Sequence, residues 1–212
     1  MVKVDDTRVV KVSGTEHTRP PHHVLLNHIV TDPERNGKII RKISDELNAA
    51  RFPLVISDRT EHLRSLEILL NENYKDVNSV CITGDLTQKQ RADALKKLLD
   101  FKSQKTRTVL FATASLIGEG FDLPELDTLF LTTPLSFEGR LVQYAGRLHR
   151  LAEGKVTVKI YDFLDSHSGM FLKMYRQRLK AYKQIGYHVT EPLLLSGQQR
   201  PKKLSNADEQ QS

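Results

Sequence analysis

Four side chains in the second half of the sequence are spaced to meet a single ligand. In Gln143-Tyr-Ala-Gly146-Arg147-Leu-His-Arg150, the residues Gln143, Gly146, Arg147 and Arg150 fall at i, i+3, i+4 and i+7, on one face of a helix. Leu141, Ala145 and Leu148 fall on the opposite, core-facing side. The ligand-facing side then presents a bare glycine beside two guanidiniums and an amide. Arginine's planar fork suits bidentate contact with phosphate, and glycine lets a ligand come close to the backbone. Taken alone, the same spacing also fits a solvated basic helix face.

Two further segments carry chemistry of the same kind. The run ATASLIGEGFDLP places Thr113 at the end of a β-rich stretch, then Gly118, Gly120 and Asp122, then Pro124. A hydroxyl, glycines and a carboxylate suit a loop that touches phosphate on one side and sugar on the other, although an ordinary αβ connection uses the same residues. In Gly84-Asp85-Leu-Thr87-Gln88-Lys-Gln-Arg91, Thr87 and Gln90 form a capping-box pattern, so a helix begins there. A helix N-terminus offers free N–H groups and partial positive charge to a phosphate. A plain capped helix would read the same way.

The elements that must position these residues alternate regularly. PLVISD (53–58), VNSVCIT (77–83), RTVLFAT (107–113), DTLFLTT (127–133) and KVTVKIYDFLD (155–165) read as strands. Helical patterns fill 60–73, about 88–101 and about 137–151, and a leading helix spans 36–50. Strands separated by single helices imply an α/β fold, with a parallel sheet flanked by helices on both faces. In such sheets ligands gather at the carboxyl ends of the strands, where all three segments lie.

The flanks differ from this core. Residues 1–36 are polar, contain the pair Pro20-Pro21, and read as an extended or linker segment. The domain proper is expected over 37–190, with 191–212 a polar, disordered tail. From Ser166 to Thr190 no acidic residue occurs. There Lys173, Arg176, Lys180 and Lys183 form a basic stripe beside an apolar one of Leu172, Tyr175, Leu179 and Tyr182. Such a helix packs on the core and either adds phosphate contacts or presents a solvated face.

Bulk properties agree with one α/β domain. The chain has 212 residues, 32 Lys and Arg against 26 Asp and Glu, a net charge of +6 and a pI near 9.4. A basic surplus of this size suits a polyanionic partner. No apolar run approaches the roughly 20 residues of a membrane span. A secretory leader is not expected, and one cysteine, Cys81, points to a reducing cytoplasm. No metal is assigned, because the histidines lack ligand spacing.

In their order and spacing the chemical segments resemble the C-terminal half of superfamily 2 helicases, over residues from about 52 to 165. ISDRTEHLRSL resembles motif IV, Gly84 to Arg91 the G-D-x-x-Q-x-x-R element, Thr113 to Pro124 motif V, and Gln143 to Arg150 motif VI. The resemblance implies a RecA-like, three-layer second motor domain of the P-loop NTPase kind. It implies catalytic roles for Arg150, as an arginine finger, and for its companion Arg147. Gln143, Gly120 and Asp122 would bind nucleotide. Arg59, Gly84, Gln88, Arg91 and Thr113 would bind nucleic acid or support that track. Motif VI opens on Gln143 rather than a His-Arg pair, and with GEGFDLP this is more similar to DEAH-type helicases and restriction-enzyme motor subunits. DNA is therefore favoured over RNA.

The chain lacks a G-x-x-x-x-G-K-[ST] phosphate loop, and Asp45-Glu46 lies on a polar helical stretch rather than after a buried strand. The lysine and the acid that serve ATP and Mg²⁺ in such motors are absent. The expected cofactor, ATP with Mg²⁺, would be held mainly by an N-terminal RecA-like domain of the same polypeptide, and this chain alone should not hydrolyse ATP. The rival readings are a non-enzymatic nucleic-acid-binding or regulatory module with this fold, and an unrelated doubly wound domain.

Overall fold

In the computed structural model the described residues are 1–6, 21–116, 123–134 and 157–190, together with 144, 146 and 148. They form one seven-stranded sheet, every neighbouring pair parallel. The strands are β1 (Val2–Asp6), β2 (Pro53–Ser57), β3 (Asn78–Ile82), β4 (Thr108–Thr113), β5 (Thr128–Leu131), β6 (Lys159–Leu164) and β7 (Val189–Thr190). Their order across the sheet is β3-β4-β2-β5-β6-β1-β7. The helices are α1 (His22–Thr31), α2 (Pro33–Asn48), α3 (Thr60–Asn73), α4 (Gln88–Ser103) and α5 (Gly169–Gln184).

Central strands of a parallel sheet are covered on both faces and read as continuous apolar runs. TVLFAT is such a run, and all of β4 is buried. Its alternating side chains divide between two cores. Leu110 and Ala112 join Leu54, Ile56, Leu129 and Leu131 beneath α4, α5 and the helical residues Tyr144 and Leu148. Val109 and Phe111 join Val55, Phe130 and Tyr161 beneath Ile39, Ile43 and Leu47 of α2 and Leu63, Leu66 and Leu70 of α3. The result is three layers, helices on both sides of the sheet. No described helix is long and apolar enough to cross a membrane.

The expectation of an extended or linker segment over residues 1–36 is corrected for 1–6 and 21–36, while 7–20 lie outside the described residues. Val2 is fully buried, and β1 lies between β6 and β7, in register with Ile160 and with Val189. VKVDD is short and charged, so its strand state comes from partners about 160 and 190 residues away rather than from local pattern. Residues 22–31 form α1, which seats Leu26 and Ile29 against Phe171 of α5. Pro21 stands at the N-cap of α1 and Pro33 in the first turn of α2, positions where proline's fixed φ assists a helix. The prolines therefore start helices here, and α2 begins at Pro33, capped by Asp32, which accepts from the Arg35 N–H at 2.7 Å. The polar tail, 191–212, lies outside the described residues.

Two buried ion pairs tie helices to β6. Arg178 of α5 is gripped at both nitrogens by Asp162, at 2.8 Å each, and the Tyr182 hydroxyl donates to the same carboxylate at 2.8 Å. Burial opposes charge on Arg178, but the Asp162 carboxylate more than offsets it and holds the guanidinium's pKa above its usual value. Arg35 of α2 makes the second pair with Asp165, at 2.9 and 3.2 Å, just beyond the end of β6. Arg178 thereby fixes the roll of α5, so that Lys173, Arg176, Lys180 and Lys183 all stand exposed.

Candidate functional site

Three of the expected nucleic-acid contacts come together at the carboxyl ends of adjacent strands. Ser57 pairs with Thr113 and Ile82 pairs with Ala112 across β2, β4 and β3. Arg59 follows Ser57 by two residues and Gly84 follows Ile82 by two, so Gly84, Thr113 and Arg59 stand in a row along one edge of the sheet. Strands lie about 4.8 Å apart, so the row spans roughly 10 Å. Thr113 is nearly buried, and the Ala114 N–H donates to the Ser57 carbonyl at 3.4 Å. Gly84 is exposed, and a Cβ built on it meets no described atom within 4 Å.

Gln88 and Arg91 begin the helix behind this row. Thr87 caps α4 by accepting from the Gln90 N–H at 3.3 Å, while the Gln90 side chain accepts from the Thr87 N–H at 2.9 Å. Gln88 is the first residue of α4 and exposed, and Arg91 is half-buried one turn on. The turn between β3 and α4 is clamped by Arg64 of α3, which reaches Asp85 at 2.5 Å. Hydrogen bonding from Thr83, with the charge and hydrogen bond of Arg64, holds the Asp85 carboxyl below its ordinary pKa.

Behind Arg59 lies a buried relay absent from the sequence reading. The Arg59 N–H donates to Ser57 Oγ at 3.1 Å, Ser57 Oγ lies 3.1 Å from His62 Nδ1, and His62 Nε2 lies 3.0 Å from Asn36 Oδ1. The Asn36 amide donates to the Val30 carbonyl at 2.9 Å, which leaves its Oδ1 to accept from His62. His62 is then a neutral ring with its proton on Nε2, and Nδ1 accepts from the serine hydroxyl. Burial first, and the charge of Arg35 second, push the His62 pKa down to about 3. Every polar atom of the relay is used, and it locks the start of α3 to the end of β2. The only sequence signal was the i, i+5 spacing of Ser57 and His62, which has no distinctive period.

The relay makes stability depend on pH. Unfolded, His62 takes a proton near pH 6.5, and folded only near pH 3, so the unfolded state binds more protons between those values. Stability therefore falls as pH drops below about 6.5, by up to about 1.4 kcal/mol per pH unit from this group. Urea unfolding of the parent and of His62→Gln, each at about pH 7 and about pH 5, checks this. The stability gap between the two proteins should narrow at the lower pH. An unchanged gap would contradict the assignment.

Of the motif VI segment, Tyr144, Gly146 and Leu148 are described, and all three are helical. Tyr144 and Leu148 are buried and Gly146 is exposed, so the helix turns Gly146 away from the core. The Tyr144 hydroxyl donates to the Ala114 carbonyl at 2.6 Å, immediately after Thr113. The helix is thus bonded to the end of the strand that carries Thr113. Tyr144 was not among the expected core residues, although its i, i+4 spacing from Leu148 placed it there. Gln143, Arg147, Arg150, Gly120 and Asp122 lie outside the described residues, as do Leu141 and Ala145. Among the described residues no group of three His, Cys, Asp or Glu side chains converges to hold a metal.

Residues 36–152 match the helicase conserved C-terminal domain family, and the chain belongs to it as a superfamily 2 helicase C-terminal domain. The chain is 26% identical over 178 residues to the probable helicase D10 of Escherichia phage T5, covering 84% of this chain and 38% of that protein. It is 30% identical over 164 residues to the putative ATP-dependent helicase IRC3 of Saccharomyces cerevisiae, covering 77% of this chain and 21% of that one. The chain thus spans well under half of the curated relatives it matches. Its fold is that of the crystal structure of T4 UvsW, with a TM-score of 0.69, 13% identity, and coverage of 89% of this chain and 40% of that one. Domain 2 of the DEAD-box helicase Mss116p, solved bound to an RNA duplex, gives 0.54 at 19% identity, covering 90% and 64%. The RecA-like three-layer architecture follows from these likenesses and from the sheet.

Proposed function

We propose that this chain is the C-terminal motor half of an ATP-dependent superfamily 2 helicase or translocase, acting on DNA in preference to RNA. ATP with Mg²⁺ binds between it and an N-terminal RecA-like domain, which supplies the phosphate loop and the metal-binding acid this sequence lacks. Arg150 acts as arginine finger and Arg147 as its companion, with Gln143, Gly120 and Asp122 on the nucleotide. Arg59, Gly84 and Thr113 grip the nucleic-acid backbone, and Gln88 and Arg91 support them. The preference for DNA rests on the form of motif VI, which opens on Gln143, together with the GEGFDLP form of motif V.

The observation that carries this reading is the link between two surfaces. The helix of Gly146 is bonded through Tyr144 to Ala114, next to the row of Gly84, Thr113 and Arg59. A movement of that helix on nucleotide binding is passed to the strand ends by a buried hydrogen bond and by packing, without a flexible intermediary. Closure around ATP then shifts the grip of this half relative to the other, which gives one step along a strand.

Gly146 provides the test. It is exposed within a helix, and an added Cβ meets no described atom within 4 Å. An exposed helical alanine is favoured over glycine by about 0.5–1 kcal/mol, and among the described residues nothing requires glycine there. A ligand pressed against the backbone would need it. Gly146→Ala should melt no lower than the parent chain, yet lower ATP turnover of the intact motor about tenfold or more. Full turnover in that variant would count against a nucleotide on this face.

A further inference from the structure

We infer that the exposed basic face of α5 forms a second nucleic-acid contact surface, separate from the strand-end row and directed at the phosphate backbone. The inference rests on the motor reading for its class of partner, but on different residues. Residues 166–190 carry Lys173, Arg176, Arg178, Lys180 and Lys183 and no Asp or Glu, and α1, HHVLLNHIVT, has none either. α1 packs on the Phe171 side of α5 through Leu26 and Ile29, which leaves the basic row exposed on the other side of α5, and neither helix carries a carboxylate of its own.

Among the described residues, the carboxylates closest in sequence to these helices are engaged elsewhere, and Glu191 lies outside the described residues. Asp162 and Asp165 are buried against Arg178 and Arg35, Asp32 caps α2, and Glu34 meets Lys38 at 2.9 Å. The other four cations of α5 are exposed, and none makes an ion pair or hydrogen bond among the described residues. Elsewhere on this domain Arg64, Arg107 and Lys159 are each paired with a carboxylate, and the exposed Lys96 and Lys97 share α4 with Asp93 and Asp100, whereas α5 has no acidic residue. Leaving four like charges together without counter-ions costs free energy that an anionic partner recovers.

The geometry selects the kind of anion. Lys173 to Lys183 run along one side of a helix whose roll is set by the Arg178–Asp162 pair, over about 15 Å. A rigid row of that length matches a line of phosphates, one negative charge per about 3.4 Å of each strand. A lipid surface would need apolar side chains turned outward, and among the described residues the large exposed apolar ones are Met1, Ile68 and Leu99, none of them on α1 or α5.

The experiment measures binding of the whole chain to a fluorescein-labelled DNA duplex by anisotropy, between about 50 and 200 mM salt. Three proteins are compared with the parent. One carries Lys173→Gln, Arg176→Gln, Lys180→Gln and Lys183→Gln. The second carries Lys75→Gln, Lys96→Gln, Lys97→Gln and Lys105→Gln, the same loss of charge from other exposed positions. The third carries Arg59→Ala. The α5 variant should lose about tenfold or more in affinity at the low-salt end, and its salt slope should flatten by up to about 0.9 per lost contact. The matched control should change little. If the α5 variant binds like the parent, or the control loses as much, this surface is overturned while the strand-end row can still stand on the Arg59 result. A loss in the α5 variant with none in Arg59→Ala keeps this surface and removes Arg59 from the other track. A parent chain that does not bind the duplex overturns this inference whatever the motor does.

Discussion

Arg150→Ala in the intact motor will lower ATP turnover by roughly 10³-fold or more, the scale on which arginine fingers act. The argument begins with charge. In phosphoryl transfer, negative charge spreads over the equatorial oxygens of the γ-phosphate, and a guanidinium placed there stabilises the transition state more than bound ATP. The loss should therefore fall mainly on kcat, with a smaller change in KM. In the proposed reading Arg150 continues the helix that Tyr144 fixes on Ala114 and that Leu148 buries. The alanine variant leaves both anchors intact, so the effect is chemical rather than structural. Steady-state turnover with saturating nucleic acid checks it, and a loss under about tenfold would remove Arg150 from the catalytic role.

The second large effect concerns stability. Arg178→Ala should destabilise the chain by about 3–5 kcal/mol, because it leaves the Asp162 carboxylate buried and unpaired. The Tyr182 hydroxyl would remain on that carboxylate at 2.8 Å, but a single neutral donor does not replace a bidentate guanidinium. Replacing both partners by apolar residues, Arg178→Met with Asp162→Leu, should recover most of the loss, since no charge is then stranded. Urea unfolding of the two variants beside the parent decides it. A single variant within about 1 kcal/mol of the parent would mean that the pair does not hold α5 in solution.

Much of the fold was legible because its signals are local. Residues 60–73 read as a helix and form one over the same span, with Leu63, Leu66 and Leu70 buried as their spacing requires. RTVLFAT read as a strand and forms one, buried throughout, and Thr87 with Gln90 announced the start of α4. The row of Gly84, Thr113 and Arg59 was legible as three residues just beyond strand ends. Its adjacency was not, because strand order is set by pairing across distant sequence.

What escaped depends on partners far along the chain. Val2 becomes core only because Ile160 and Val189 stand beside it. Arg178 falls three residues after Tyr175 and four before Tyr182, beside the apolar stripe and away from the basic one, but nothing local shows what would pair a cation there until Asp162 is seen facing it from β6. His62 looks like any polar residue on the first turn of a helix, and its relay needs Asn36 from α2 and Ser57 from β2. In each case a buried polar group is explained by a distant partner that no periodicity announces.

The most direct measurement is ATP turnover by this chain, alone and joined to its N-terminal half, each with and without DNA or RNA. The account predicts no turnover by the chain alone and nucleic-acid-stimulated turnover once joined, with DNA the stronger stimulant. Turnover by the chain alone would mean that it holds a complete nucleotide site, and silence after joining would mean that it is not half of a motor.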